Sequence, residues 1–157
     1  MSNDHEKFMD LAIAESRKAA EAGNSPVGSI IVGDGEEIGV GQNRVTSGND
    51  PTAHAEVDAI RDACWKLGVT QLEGAYCYTS MEPCPMCRWA IKAAGLVGMV
   101  MGARHADLAD LNPLEKRYGG YTVEALNELG EAGLEITAGV RHRECVEMRR
   151  AWFAQND

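Results

Sequence analysis

The stretch Ala75–Gly102, AYCYTSMEPCPMCRWAIKAAGLVGMVMG, decides how this chain is built. Ala75 to Ser80 alternates and is rich in tyrosine, which reads as a strand. Pro83 and Pro85 mark the start of a helix running to about Ala94, because proline suits a first helical turn and cannot sit deeper in a helix. Leu96 to Gly102 is a short apolar run, broken by glycine, that reads as a second strand and is too short to span a membrane. A strand joined to a strand through a helix usually yields parallel neighbours.

Outward from this unit the same alternation continues. Upstream, Val27 to Val32 and Glu37 to Val40 read as strands around Gly33-Asp34-Gly35, a hairpin signal that places Asn43 just past a strand end. A first helix is expected over about Glu6 to Ala22, from Phe8, Met9, Ala12, Ile13, Ser16 and Ala20 at helical spacing, closed by Gly23-Asn24. Between hairpin and quoted stretch, Pro51 with Asp50 or Thr52 makes a helix start for a segment reaching Leu67. Downstream, Thr122 to Glu131 reads as a helix, Leu134 to Ala138 as a strand and Glu144 to Ala154 as a terminal helix, with Ala103 to Gly120 irregular. An antiparallel hairpin followed by helical crossovers predicts a layered α/β domain with a mixed sheet. Its 157 residues suit a single domain, 1–157.

Composition narrows the class. Hydrophobic residues are 45% and charged residues 25%, as in soluble globular proteins. The net charge of -9 disfavours a nucleic-acid substrate held by a basic surface, and Arg141 to Arg143 with Arg149 and Arg150 read as a solvated helical face. The polar start Met1 to Lys7 lacks the apolar centre of a signal peptide, which with the free cysteine pattern points to the cytoplasm. Cys64 and Cys145 read as small core or surface residues, and Trp65, Trp89, Met81, Met86, Met99 and Met101 as packing residues.

The chemistry sits in two short motifs. Cys84 and Cys87, three apart at a helix start, share a face and meet a dipole that favours thiolate. His54 with the two thiolates makes a three-ligand site of the kind catalytic zinc uses, leaving a fourth position for water or hydroxide. Glu56 is left to move protons. In a helix interior the two-residue spacing of His54 and Glu56 turns them roughly 200° apart. Cooperation therefore requires both in the first turn of a helix beginning at Pro51 to Ala53. A closed structural zinc site would need a fourth ligand, and no further cysteine or histidine stands in a comparable motif.

His54-Ala55-Glu56 followed by Pro83-Cys84-Pro85-Met86-Cys87 matches the signature of zinc-dependent nucleobase deaminases. With Asn49-Asp50-Pro51-Thr52-Ala53 before it and Tyr78 to Glu82 leading into the cysteines, the chain resembles the cytidine deaminase superfamily from the first helix to about Arg104. It is most similar there to bacterial guanine deaminases and tRNA adenosine deaminases, with fungal-type cytosine deaminase as a further relative. The resemblance implies a three-layer α/β/α sandwich with a five-stranded mixed sheet, a homodimer, and one Zn2+ per subunit. It implies substrate contact by Asn43 and by His105, in the stretch Gly102-Ala103-Arg104-His105-Ala106-Asp107 that is closer to guanine deaminase than to the tRNA enzymes. Trp152 and Phe153 resemble the closing segment of fungal-type cytosine deaminase, although Gln155 stands near the place of its acidic residue. The expected activity is removal of an exocyclic amine from a free nucleobase or related amino-heterocycle, of guanine or cytosine type, as ammonia. The alternative is adenosine-to-inosine editing of tRNA.

Overall fold

A computed structural model describes residues 2–111, 119–130 and 133–156. Helix α1 (Ser2–Glu21) precedes a hairpin of β1 (Gly28–Gly33) and β2 (Glu36–Gln42). Helix α2 (Ala55–Leu67), β3 (Tyr76–Met81), α3 (Pro85–Ala93) and β4 (Gly98–Ala103) follow, then a short 3-10 turn (His105–Leu108). The chain ends with α4 (Val123–Leu129), β5 (Glu135–Thr137) and α5 (His142–Gln155). The five strands form one sheet in the order β2-β1-β3-β4-β5. Strand β1 is antiparallel to both β2 and β3, whereas β3, β4 and β5 are parallel.

The elements follow from local chemistry. Asp34 and Gly35 both have positive φ, 51° and 77°, as a tight hairpin turn demands, and the right-handed twist of the strands favours such turns. Helix α2 ends at Gly68 in the left-handed conformation, with its N–H on Cys64 O. Thr122 caps α4 by accepting from the Ala125 N–H at 3.1 Å. The expected end of this helix at Glu131, like the stretch 112–118, falls outside the described residues.

The sheet separates two cores. On one face Ile31, Cys77, Met99 and Met101 pack against Ala59 and Ala63 of α2, Ile91 of α3 and Val123 of α4. On the other, Ile30, Val32, Tyr78 and Val100 meet Phe8, Met9, Ala12 and Ile13 of α1 and Cys145 of α5. This alternation along β1 and β3 is the period of two of a strand buried on both sides. The α/β/α layering and the five-stranded mixed sheet expected from the resemblance are present.

Three expectations change. Helix α2 begins at Ala55, later than Pro51 to Ala53, because Asp50 Oδ1 accepts from both the Thr52 N–H and its hydroxyl, at 2.8 and 2.7 Å, holding the approach in a turn. Trp65, Trp89 and Met86 do not pack inside but are 85%, 60% and 37% exposed, since they lie on the outer faces of α2 and α3. Arg149 is buried rather than solvated, because α5 turns that face toward the sheet and the loop at Ser25. Among the described residues, no helix is long and apolar enough to cross a membrane.

Strand β2 and helix α2 approach closely because β2 presents glycine where α2 presents alanine. A Cβ on Gly41 would overlap the backbone of Ala55 and Ala59, and one on Gly39 would meet Ala59 O at 2.7 Å. Gly41→Ala is therefore expected to lower unfolding free energy by about 1–3 kcal/mol through overpacking. Gly120→Ala, with open space around it, should stay within about 0.5 kcal/mol of the parent in denaturant melts. Equal effects at the two positions would contradict this packing.

Candidate active site

Helices α2 and α3 both start where a strand ends, α2 after β2 and α3 after β3, with β1 lying between those strands in the sheet. Open α/β sheets build their sites at such carboxyl ends. His54 is the N-cap of α2 (φ -73°, ψ 154°) and Cys84 the N-cap of α3 (φ -67°, ψ 170°). Each carbonyl begins its helix, His54 O accepting from Asp58 N at 2.9 Å and Cys84 O from Arg88 N at 2.9 Å. Neither side chain caps its own helix. An N-cap has extended backbone, so its side chain leaves the helix end rather than following the spiral. This removes the roughly 200° objection to His54 acting with Glu56, by placing His54 outside the helix and Glu56 inside it.

The side chains converge. His54 Nδ1 lies 3.5 Å from Cys84 Sγ and 3.4 Å from Cys87 Sγ, and the three donor atoms are within 4.8 Å of one another. Bonds of about 2.3 Å to sulfur and about 2.0 Å to nitrogen at tetrahedral angles place such donors about 3.5 Å apart. One imidazole nitrogen and two sulfurs are also the donor set that zinc favours. The residues therefore fit a zinc ion. Together the N-termini of α2 and α3 bring two positive dipole ends to this point, which favours the thiolate forms.

The protonation states follow the geometry. The Cys84 thiol is pushed down to about 4, first by the hydrogen bond from Cys87 and, against the cost of burial, also by His54. That same bond, with burial, pushes Cys87 up. Hydrogen bonding to Cys84 raises the imidazole of His54. Burial raises the carboxyl of Glu56, and the negative charge of Cys84 adds to it. Glu56 is 3% exposed and accepts from the Thr79 hydroxyl at 2.8 Å.

His54, Glu56 and Cys84 line one cavity of about 400 Å³, within the range of small-molecule sites. Asn43, His105, Trp152 and Phe153, the four expected substrate contacts, all line it as well. The Asn43 carboxamide oxygen accepts from the Val45 N–H at 3.1 Å, which fixes the side chain at the end of β2. His105 is buried, 6.0 Å from the Tyr121 ring. The rings of Trp152 and Phe153 meet edge to face, 5.2 Å apart. Gln155 lies outside this cavity, on a separate groove of the surface.

Sequence reasoning missed Thr79, Glu82 and Arg149. Thr79 is a fully buried polar residue on β3, two residues from the sheet's exit, and a buried hydroxyl needs a partner. Glu82, 3% exposed, accepts from His105 N at 3.1 Å and Val123 N at 2.9 Å and pairs with Arg104 at 3.4 Å. It ties the chain just before Cys84 to the end of β4 and the start of α4. The one available signal was a glutamate directly before Pro83, where solvent exposure was an equally good reading.

The chain is similar to known proteins in sequence and in fold. Residues 2–103 match the model of the cytidine and deoxycytidylate deaminase zinc-binding region. Guanine deaminase of Bacillus subtilis is 49% identical over 107 residues, covering 68% of this chain and 69% of that protein. A tRNA-specific adenosine deaminase of Aquifex aeolicus is 39% identical over 129 residues, covering 82% and 78%. A mutant protein solved in complex with 8-azaguanine superposes with a TM-score of 0.86 at 26% identity, covering 97% of this chain and 85% of that one.

Glu82 supplies a structural test. Glu82→Ala leaves the buried N–H groups of His105 and Val123 without their acceptor, and should cost about 2–5 kcal/mol. Hydrogen exchange at those two amides should accelerate before global unfolding. Unchanged protection at both would contradict the assignment.

Proposed function

The chain belongs to the cytidine and deoxycytidylate deaminase family, and from that membership we propose that it hydrolyses the exocyclic amine of a free amino-heterocycle, of guanine or cytosine type, to a carbonyl with release of ammonia. We take residues 1–157 as one such domain. The observation that carries the proposal is the buried carboxylate of Glu56 in one aromatic-walled cavity with His54 and Cys84, which with Cys87 form the donor group.

Zinc held by His54 Nδ1 and the two cysteine sulfurs would supply the Lewis acidity that lets water attack near neutral pH. Glu56 accepts one proton of the attacking water and passes it to the ring nitrogen, then takes the second proton of the same oxygen and delivers it to the departing amine, so that amine and water become carbonyl and ammonia. Its burial strengthens its hold on a proton, which suits a group that must both take and give one. Thr79 orients the carboxylate by its bond to Oε1. Asn43 and His105 present polar groups to the ring, and Trp152 and Phe153 close on its apolar face.

A cavity of this size takes a single base, and the charge of -9 argues against an RNA held by a basic surface. Support for tRNA adenosine as the substrate comes from the longer match, 82% of this chain, to the tRNA-specific relative. An ammonia-release screen separates the two. Zinc-loaded protein is expected to act on guanine, cytosine or a related base, and Glu56→Ala to lose at least about 10³-fold in kcat while keeping zinc by elemental analysis. Release only from an RNA stem-loop would favour the tRNA reading, and full activity in Glu56→Ala would sink the proton-shuttle role.

The proposed assembly is a homodimer. Exposed Trp65 and Leu67 of α2, the adjoining Val69, and Trp89 and Met86 of α3 place apolar surface on the helices that carry the donor residues. Sedimentation is expected to give twice the chain mass, and Trp89→Glu to shift the protein toward monomer. A monomer at micromolar concentration would refute this assembly.

A further inference from the structure

One buried side chain holds the tip of the loop 43–54 between β2 and α2. Asn24 is 1% exposed. Its Oδ1 accepts from the Thr46 N–H at 3.1 Å and from the Ser47 N–H at 2.9 Å, and its Nδ2 donates to the Ser47 hydroxyl at 2.9 Å. Both lone pairs of the amide oxygen are thereby used. Asn24 is fixed in turn by the end of α1, where Gly23 has φ 84°, its N–H meets Ala20 O at 3.0 Å and the Asn24 N–H meets Ala19 O at 2.9 Å. This paired closure of a helix end ties the residue after the glycine to the last turn.

Hydrogen bonds rather than apolar burial place this loop, because Arg44, Thr46, Ser47, Gly48 and Asn49 are exposed. The Gly48 N–H on Arg44 O at 2.8 Å and the Asp50 N–H on Val45 O at 3.2 Å fold it on itself, and the Arg44 N–H on Ala53 O at 2.9 Å closes its base beside His54. Among the described residues, the hydrogen bonds that join positions 45–50 to chain outside the loop are the three made by Asn24. Val45 and Thr46 line the cavity of His54 and Glu56, as do Ser25 and Val27 on the segment that follows Asn24. The Val45 N–H also bonds Asn43 Oδ1 at 3.1 Å, and the Asn43 N–H bonds Val27 O at 2.9 Å. Asn24 thus stitches one stretch of the cavity wall to another.

Resting on the deaminase reading, we infer that Asn24 is a positioning residue for recognition of the base: by fixing the loop tip it sets the wall at Val45 and Thr46 and, through the Val45 N–H, the orientation of the Asn43 carboxamide. Asn24 stands behind that wall and meets no reacting atom. Its effect is therefore on binding and not on the bond-making step. When the loop tip is released, apparent affinity falls with the fraction of molecules in which the wall is formed. The donors and Glu56 are held by other contacts, the loop base at Arg44 and Ala53 and the Thr79 hydroxyl.

Two substitutions at one position test this. Asn24→Ala removes all three bonds, whereas Asn24→Asp keeps an acceptor for both amides and can take the Ser47 hydroxyl as donor. For the base that the zinc-loaded parent deaminates, Asn24→Ala is expected to raise KM by about 10-fold or more with kcat within about 3-fold of the parent. Zinc content should not change, and Asn24→Asp should return KM most of the way. Hydrogen exchange at the Thr46 and Ser47 amides is expected to quicken in Asn24→Ala and slow again in Asn24→Asp. Should Asn24→Ala fail to fold, Ser47→Ala carries the test, with the loss of one bond raising KM by about 2- to 10-fold. Guanine and cytosine are also titrated calorimetrically against Glu56→Ala with and without each Asn24 change. Turnover with an unchanged KM, a loss of kcat as large as the rise in KM, or a rise that Asn24→Asp does not relieve overturns the inference and leaves the deaminase reading standing. Binding that weakens in Asn24→Ala and recovers in Asn24→Asp, in a protein that releases no ammonia, supports the role of Asn24 and overturns the deaminase reading. No ammonia and no effect on binding overturns both.

Discussion

The close approach of two helix starts governs this molecule. His54 and Cys84 come from positions 30 residues apart, yet their donor atoms lie 3.5 Å from each other because α2 and α3 begin side by side at the ends of strands separated only by β1. A tetrahedral metal tolerates little error in such distances. The helix dipoles point the same way, and their positive ends favour the thiolates that a metal needs. Geometry and electrostatics therefore come from one arrangement of backbone.

That arrangement depends on what is missing from β2. Gly39 and Gly41 let α2 rest directly on the strand through Ala55, Ala59 and Ala63. Ala55 follows His54, so a side chain at Gly41 would press on the residue next to the donor. Thr79 and Glu82 extend the same frame along β3. Thr79 fixes the carboxylate of Glu56, and Glu82 gathers the backbone of His105 and Val123 at the cavity wall. Glu56, Thr79 and Glu82 are buried polar groups in this frame, each with a hydrogen-bond partner, which is how a polar site persists inside an apolar core.

A division of labour follows from the topology. The matched region, residues 2–103, contains the donors, Glu56 and Asn43. Arg149, Trp152 and Phe153 come from α5, beyond it. The donor cluster is thus built on the sheet ends, while part of the cavity wall is supplied by a helix packed on the other face. Changes in α5 alter that wall without disturbing the donor cluster.

The order of strands and helices, the hairpin turn and the two motifs were legible in the sequence, because each is local: turn residues, prolines and short-range periodicity act over a few positions. The donors and Glu56 were legible for a related reason, since their spacing is a chemical demand written along the chain. Other features were decided only in three dimensions. The start of α2 at Ala55 rather than near Pro51 depends on an Asp50 turn that competed with helix for the same residues. Exposure of Trp65 and Trp89 depends on which helical face the sheet covers. Arg149 looked like one more charge on a basic helix, and it became a buried wall of the cavity because Ser25, Trp152 and Phe153 surround it. The sequence by itself determined which groups could hold a metal ion, while tertiary packing decided which other groups face them, because burial is a property of neighbours that lie far away along the chain.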